Sequence, residues 1–183
     1  VVAGAALNGA GLVVRKESNI HGPADLHGKK LASPQLGNTQ DVALRVYLKE
    51  NGLKPKDRGG DVQVLPLANS DILALMKQKQ LDGAWVPEPW TTRLIDEAAG
   101  ELLVDEKDRW PEHKFPTTVL VGTRKLLAEH PDTVKRLLAA HVATIAWMKA
   151  HPDEARALVD HGLQKWAKKA LPPELLKKAY ANV

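Results

Sequence analysis

The sequence predicts an α/β fold with a mostly parallel sheet and a helical tail packed on one side. Three observations carry this. Short apolar runs alternate with helix-period runs through the first two-thirds of the chain, the signature of βαβ units. Everything after Arg124 reads as helix. With 183 residues, 44% of them hydrophobic and 26% charged, the chain has the size and composition to bury a sizeable core.

Taken in order, Gly4-Ala5-Ala6-Leu7-Asn8-Gly9-Ala10-Gly11 is nearly all small residues, which suits a crossing between lobes or a backbone lining a ligand. Leu12-Val13-Val14 is a strand ending in the charged cluster Arg15-Lys16-Glu17. Pro23-Ala24-Asp25-Leu26 forms a helical turn, and Lys30-Leu31-Ala32 a strand. The next helix places Val42, Ala43, Val46 and Tyr47 on one face and stops at Asn51-Gly52. Val62-Gln63-Val64-Leu65 alternates as a strand. Asn69-Ser70-Asp71 caps a helix carried by Ile72, Leu73, Leu75 and Met76 to Lys79. Strand returns at residues 81–86, a helix opens at Pro87-Glu88-Pro89-Trp90 and runs to Gly100, and Leu102-Leu103-Val104 is strand. A polar connection containing Trp110-Pro111 and Phe115-Pro116 leads to a strand at Val119-Leu120-Val121. His130-Pro131-Asp132 and His151-Pro152-Asp153 each start a helix, with proline at the first helical position and an acid in the first turn.

Several chemistries are excluded by composition or spacing. With no cysteine, thiol catalysis, cysteine-based zinc sites and disulfides all fall away. The seven histidines (His21, His27, His113, His130, His141, His151 and His161) form no H-x-x-x-H pair, so no metal site is expected. Neither a P-loop nor G-x-G-x-x-G follows a strand, and Ser18, Ser33 and Ser70 lie in no nucleophile elbow, so neither cofactor nor catalysis is expected. Asp82 reads as the cap of a turn into its strand and Glu88 as a first-turn acid, rather than as a catalytic pair. The net charge of +4 comes from lysines along helices, with Lys165, Lys168, Lys169, Lys177 and Lys178 near the C-terminus. A lone Trp166 among them does not make a nucleic-acid surface. No apolar run reaches membrane-spanning length. The chain begins at Val1 without a leader, which reads as a processed or truncated piece.

Two segments carry the binding chemistry. Ser33-Pro34-Gln35-Leu36-Gly37-Asn38-Thr39-Gln40-Asp41 reads as strand end, tight turn and open helix N-terminus, a seat for a small anion. Gly37 allows close approach, and Asn38 and Thr39 supply donors. The same residues also fit an ordinary capping box, with Asn38 as cap and Asp41 three residues on. Trp85-Val86-Pro87-Glu88-Pro89-Trp90 gathers two tryptophans and two prolines at a strand's C-terminal end, where open α/β sheets bind ligands.

Ala24-Asp25-Leu26-His27-Gly28-Lys29-Lys30-Leu31-Ala32 followed by Gln35-Leu36-Gly37-Asn38-Thr39 resembles the second lobe of sulfonate/nitrate/taurine-type periplasmic binding proteins of ABC importers. The run from Leu75 through Asp82-Gly83-Ala84, the segment Trp85 to Trp90, and residues 116–132 resemble further motifs of that family in the same order. The resemblance covers most of residues 11–155 and has no counterpart for the family's opening βαβ portion. It implies a type II periplasmic-binding-protein three-layer sandwich, one complete lobe with the C-terminal part of the other. Residues 1–15 would form a crossing segment, 16–104 the second lobe, 105–118 the return crossing, and 119–183 the mainly helical C-terminal part of the first lobe. It further implies periplasmic or lipid-anchored extracytoplasmic capture of a small sulfonate-like anion by lobe closure, with an ABC transporter permease as partner and without catalysis. Gly37, Asn38, Thr39 and Gln40 would hold the anionic head, Asn8 and Gly9 would line the crossing, and Trp85, Glu88 and Trp90 would wall the organic tail. Asp41 and Glu88, unless turned away, would oppose a bare dianion. The truncated piece would bind ligand poorly or not at all, and would either take a separately supplied complementary segment or self-associate through its helical tail. The same fold also serves LysR-type regulators as effector domains and enzymes of thiamin or menaquinone pathways.

Overall fold

In the computed structural model, which describes residues 1–167 and 170–183, the chain forms seven strands and seven α-helices. Lys168 and Lys169, read above as part of a solvated helix face, lie outside the described residues. In order these are β1 (Ala3–Leu7), β2 (Ala10–Arg15), β3 (Lys30–Ser33), α1 (Thr39–Glu50), β4 (Gln63–Pro66), α2 (Asn69–Lys77), β5 (Gly83–Pro87), α3 (Trp90–Glu97), β6 (Gly100–Asp105), β7 (Pro116–Leu120), α4 (Arg124–Glu129), α5 (Pro131–Ala150), α6 (Pro152–Ala167) and α7 (Pro173–Ala181).

Five strands form one sheet in the order β4-β3-β5-β2-β6. β3 runs parallel to β4 and β5, whereas β2 is antiparallel to both its neighbours, β5 and β6. The sheet is therefore mixed, where a mostly parallel one was expected. β2 enters straight from β1 through Asn8 and Gly9, both at positive φ, with no crossover helix to restore its direction. β1 and β7 form a separate antiparallel pair, from Ala3 opposite Leu120 to Leu7 opposite Pro116. The strand expected at Val119-Leu120-Val121 begins earlier, at Pro116, and belongs to this pair.

Alternation along the strands divides the core into two faces. Leu12, Val14, Leu31 and Trp85 pack with Leu44 and Leu48 of α1 on one side. Val13, Ala32, Ala84 and Val86 pack on the other with Ile72, Leu73 and Met76 of α2 and Leu94 of α3. Helix, sheet, helix is the expected three-layer sandwich, and each fully buried aliphatic side chain contributes roughly 1.5–3 kcal/mol.

Two local readings differ from the structure. The core-facing residues of α1 are Gln40, Asp41, Leu44 and Leu48, while Val42 and Val46 are exposed. Period alone places the valines together on one face, but Leu44 and Leu48 lie on the opposite side of the helix and are the larger side chains that fill the sheet surface. Asn69 does not cap α2: Ala68 occupies the cap position without a side-chain bond, and Asn69 is the first helical residue. Asp82 holds a turn as expected, but across strands, accepting from the Lys30 N–H at 2.8 Å and pairing with Arg15 at 3.4 Å.

α5 and α6 begin at Pro131 and Pro152, as their prolines dictate. Beyond β7 the helices leave apolar side chains in solvent, among them Leu137, Val142, Leu158 and Trp166. α7 turns back toward α3, where Lys178 meets Asp96 at 2.7 Å and Leu175, Leu176 and Ala179 are buried. No helix among the described residues is long and apolar enough to cross a membrane.

Candidate functional site

β3 ends at Ser33, β5 at Pro87 and β6 at Asp105 on the same edge of the sheet where β2 begins. The turn from Ser33 to α1 is built around Asp41, 2% exposed. Its Oδ1 accepts from the Ser33 hydroxyl at 2.8 Å. Its Oδ2 accepts from the Gly37 N–H at 2.9 Å and from Arg45 Nε at 3.0 Å. Burial alone would push this carboxyl up, but the Gly37 amide, the Ser33 hydroxyl and the Arg45 guanidinium together hold it below the usual carboxylate range. Asp41 is thus turned inward and neutralised, and does not face a ligand. Gly37 has φ +76°, and a Cβ added there would meet nothing within 4 Å, so its glycine serves the backbone conformation alone.

Asn38 caps α1 by accepting from the Asp41 N–H at 2.8 Å, so the capping reading of this residue holds. The amides of Gly37, Asn38, Asp41 and Val42 are all taken, by Asp41, Gln35 and Asn38. Those of Thr39 and Gln40 have no acceptor among the described residues, and sit at the positive end of a twelve-residue helix. The Gln40 side chain, 6% exposed as a residue, also has no hydrogen-bond partner among the described residues.

Gly37, Asn38 and Thr39 open onto a groove of about 510 Å³. One wall is the exposed face of α1, with Val42, Ala43, Val46 and Glu50. The other is the return segment, with Glu106, Arg109, Trp110, Phe115 and Pro116. Trp110 and Phe115 stack obliquely, ring centroids 5.2 Å apart. Arg109 lies 5.2 Å from the Tyr47 ring centroid and 5.7 Å from that of Trp85, and pairs with Glu50. Glu106 is buried. Burial pushes its carboxyl up, opposed by the hydrogen bond at 2.7 Å from Trp85 Nε1 and by the Arg109 charge.

The remaining candidates are dispersed. Trp85 is fully buried behind the groove, between Tyr47 and Glu106, and is not on its wall. Trp90 packs on the opposite face of the sheet, under the Arg93 guanidinium at 4.7 Å. Asn8 accepts from the Phe115 N–H through Oδ1 at 2.9 Å and donates its own N–H to Phe115 O at 2.7 Å, which anchors the groove's end to the crossing strands. Gly9 and Glu88 meet the C-terminus: a Cβ on Gly9 would stand 2.8 Å from Val183 Cγ2, and Glu88 Oε1 accepts from Asn182 Nδ2 at 2.7 Å. Burial raises the Glu88 carboxyl, against the bonds from Asn182 and Thr92. Among the described residues there is no cluster of three acids or histidines able to hold a metal ion.

A family model described as the NMT1-like family matches residues 1–161. The chain belongs to the NMT1-like family. A Brucella abortus relative described only as a binding protein is 29% identical over 133 residues, which is 72% of this chain and 40% of that protein. A Nostoc nitrate/nitrite binding protein, NrtA, is 24% identical over 132 residues, 72% of this chain and 29% of its own length. The solved Escherichia coli periplasmic aliphatic sulphonate binding protein SsuA superposes with a TM-score of 0.76 at 20% identity, over 99% of this chain and 56% of that one. This NMT1-like chain therefore has the α/β fold of the periplasmic binding proteins, spans about two-fifths of the length of the Brucella relative, and has binding proteins rather than enzymes as these relatives.

Sequence reasoning missed Arg109, Glu106, Trp110, Phe115 and the Val42–Val46 wall of the NMT1-like groove. Two signals were present: an apolar α1 stripe larger than one core face needs, and aromatic-proline pairs inside an otherwise polar connection.

Proposed function

We propose that the protein is the solute-binding component of an ABC importer and captures a small organic anion, an aliphatic sulfonate or related compound, outside the cytoplasm and without chemical change. Residues 16–104 act as one lobe, residues 1–15 and 105–118 as crossings, and residues 119–183 as part of the other. The permease of the importer is the macromolecular partner. This chain alone is expected to take a separately supplied complementary segment or to self-associate through its exposed apolar tail.

The observation that carries the reading is the head of α1, where the Thr39 and Gln40 amides have no acceptor among the described residues and Thr39 lines a groove with an apolar flank. The head of an anion would take those amides, and its hydrocarbon part would lie along Val42, Val46, Trp110 and Phe115. Asn8 and Gly9 remain in the crossing, and Glu88 faces the C-terminus.

The test is Thr39→Pro. Thr39 is the first helical residue, where proline is well tolerated, and the extended ψ of 175° at Asn38 suits a following proline. The substitution deletes one N–H and leaves α1 intact. Affinity for ethanesulfonate, followed by NMR titration, is expected to fall by about 1.5–3 kcal/mol, the worth of a charge-assisted hydrogen bond, with the urea midpoint nearly unmoved. Unchanged affinity would return the segment to a plain capped helix.

A further inference from the structure

Arg109 is the cationic side chain in the groove's lining, and nothing in the anion-seat reading of α1 uses it. Its guanidinium carbon lies 5.2 Å from the Tyr47 ring centroid and 5.7 Å from that of Trp85, two rings inclined at 58° to each other, with Nη1 3.4 Å from the Ala43 carbonyl. Held by these contacts, the guanidinium keeps an edge of N–H donors for an anionic partner. That edge is taken by Glu50, whose side chain is 58% exposed against 20% for the arginine. An ion pair with one partner so exposed is weak and screened by salt. Glu50 closes the last turn of α1, where the helix dipole disfavours an acid. Nothing else among the described residues holds its carboxylate.

We propose that Arg109 is a second anion anchor in this groove and that Glu50 occupies it only until a ligand arrives. The groove then takes an organic molecule with two acidic ends joined by an apolar spacer. One end lies on the Thr39 and Gln40 amides, the spacer lies along Val42, Val46 and Phe115, and the other end displaces Glu50 from the guanidinium. The inference rests on the α1 reading for the first end only. The other acid facing Arg109 is Glu106, whose Oε2 is already engaged by Trp85 Nε1. Asp41, the acid nearest the α1 amides, is neutralised inward.

The experiment compares 4-sulfobenzoate with benzenesulfonate by NMR titration of this chain, up to the tens of millimolar that a single open groove requires. The wild type is expected to prefer 4-sulfobenzoate by about tenfold, the effect of one further charge-assisted pair. Arg109→Gln is expected to abolish that preference, 4-sulfobenzoate losing about tenfold relative to benzenesulfonate. Arg109→Lys keeps the charge without the fork and is expected to retain an intermediate preference, and urea titration of both variants checks that they fold. Glu50→Gln is expected to tighten 4-sulfobenzoate by about threefold by removing the competitor. No gain on Glu50→Gln would mark the pair as purely structural and overturn the displacement of Glu50. Equal binding of the two probes by the wild type, or a preference that survives Arg109→Gln, would overturn the second anchor. Binding of neither probe would overturn both readings. Binding that is indifferent to Thr39→Pro would overturn the α1 seat alone.

Discussion

Removing the Asp41 carboxylate should be among the most damaging single changes in the first hundred residues, although Asp41 is polar and lies in the first turn of α1. The carboxylate accepts from the Ser33 hydroxyl, the Gly37 amide and Arg45 Nε, all between 2.8 and 3.0 Å, at 2% exposure. Asp41→Ala leaves the Ser33 hydroxyl and the Gly37 N–H without an acceptor. Arg45 is not orphaned, because its Nη1 keeps Asp57 at 2.9 Å. Two charge-assisted bonds at roughly 1.5–3 kcal/mol each give an expected loss of about 3–6 kcal/mol. Asp41→Asn should cost somewhat less, about 2–3 kcal/mol, because its amide nitrogen must face one of the donors that the carboxylate accepted from. The pH dependence has a definite sign. The folded pKa is depressed below the unfolded value near 3.9. The contribution is therefore complete above that value and disappears as pH falls through the folded pKa. Urea unfolding of wild type and Asp41→Asn at pH 7 and at successively lower pH measures both effects, and the two curves should converge on acidification. A loss below about 1 kcal/mol at pH 7, or a gap that does not narrow in acid, would refute the account of this turn.

One titration and one substitution probe the frame of the sheet and its helices. Glu97, bridging Arg93 and Lys77, has its carboxyl lowered to about 2, chiefly by the Arg93 hydrogen bond. Its stabilisation should be complete above the unfolded value near 4.3 and be lost as pH falls through about 2, worth about 1 kcal/mol for a partly exposed network; NMR observation of its carboxyl carbon titrating above pH 4 would contradict this. Gly11→Ala would place a Cβ 2.4 Å from the Val104 carbonyl oxygen on the paired strand β6, so urea titration should show a loss of about 1–3 kcal/mol or more, and a variant as stable as wild type would show that the strands are not so closely apposed.

The layered core was legible because strand alternation and sheet burial are local: Leu12, Val13 and Val14 announce opposite faces within three residues. The helix starts at Pro131 and Pro152 were legible for the same reason, since proline fixes its own φ and lacks the amide that a first turn cannot use. What depends on distant partners was not. Nothing in Leu12-Val13-Val14 tells that strand β2 runs against its neighbours, because direction is set by where the chain enters from β1. Trp85 and Trp90 look alike in sequence, yet one is locked to Glu106 and Tyr47 and the other lies on the far face. In the anion-seat segment the spacing revealed the helix head, but whether Asp41 faced in or out was decided by Ser33 and Arg45 together, eight residues before it and four after. Arg109 escaped notice because a charged residue in a polar connection carries no periodic signal, and its aromatic bed comes from α1 and β5.

Asn8 and Phe115 grip each other across the β1–β7 ribbon, and Phe115 is also the residue that closes one end of the groove. Two-stranded ribbons twist more readily than wide sheets, so a change of twist in this ribbon would reach the groove first through Phe115, which shares its lining with Val42 and Val46.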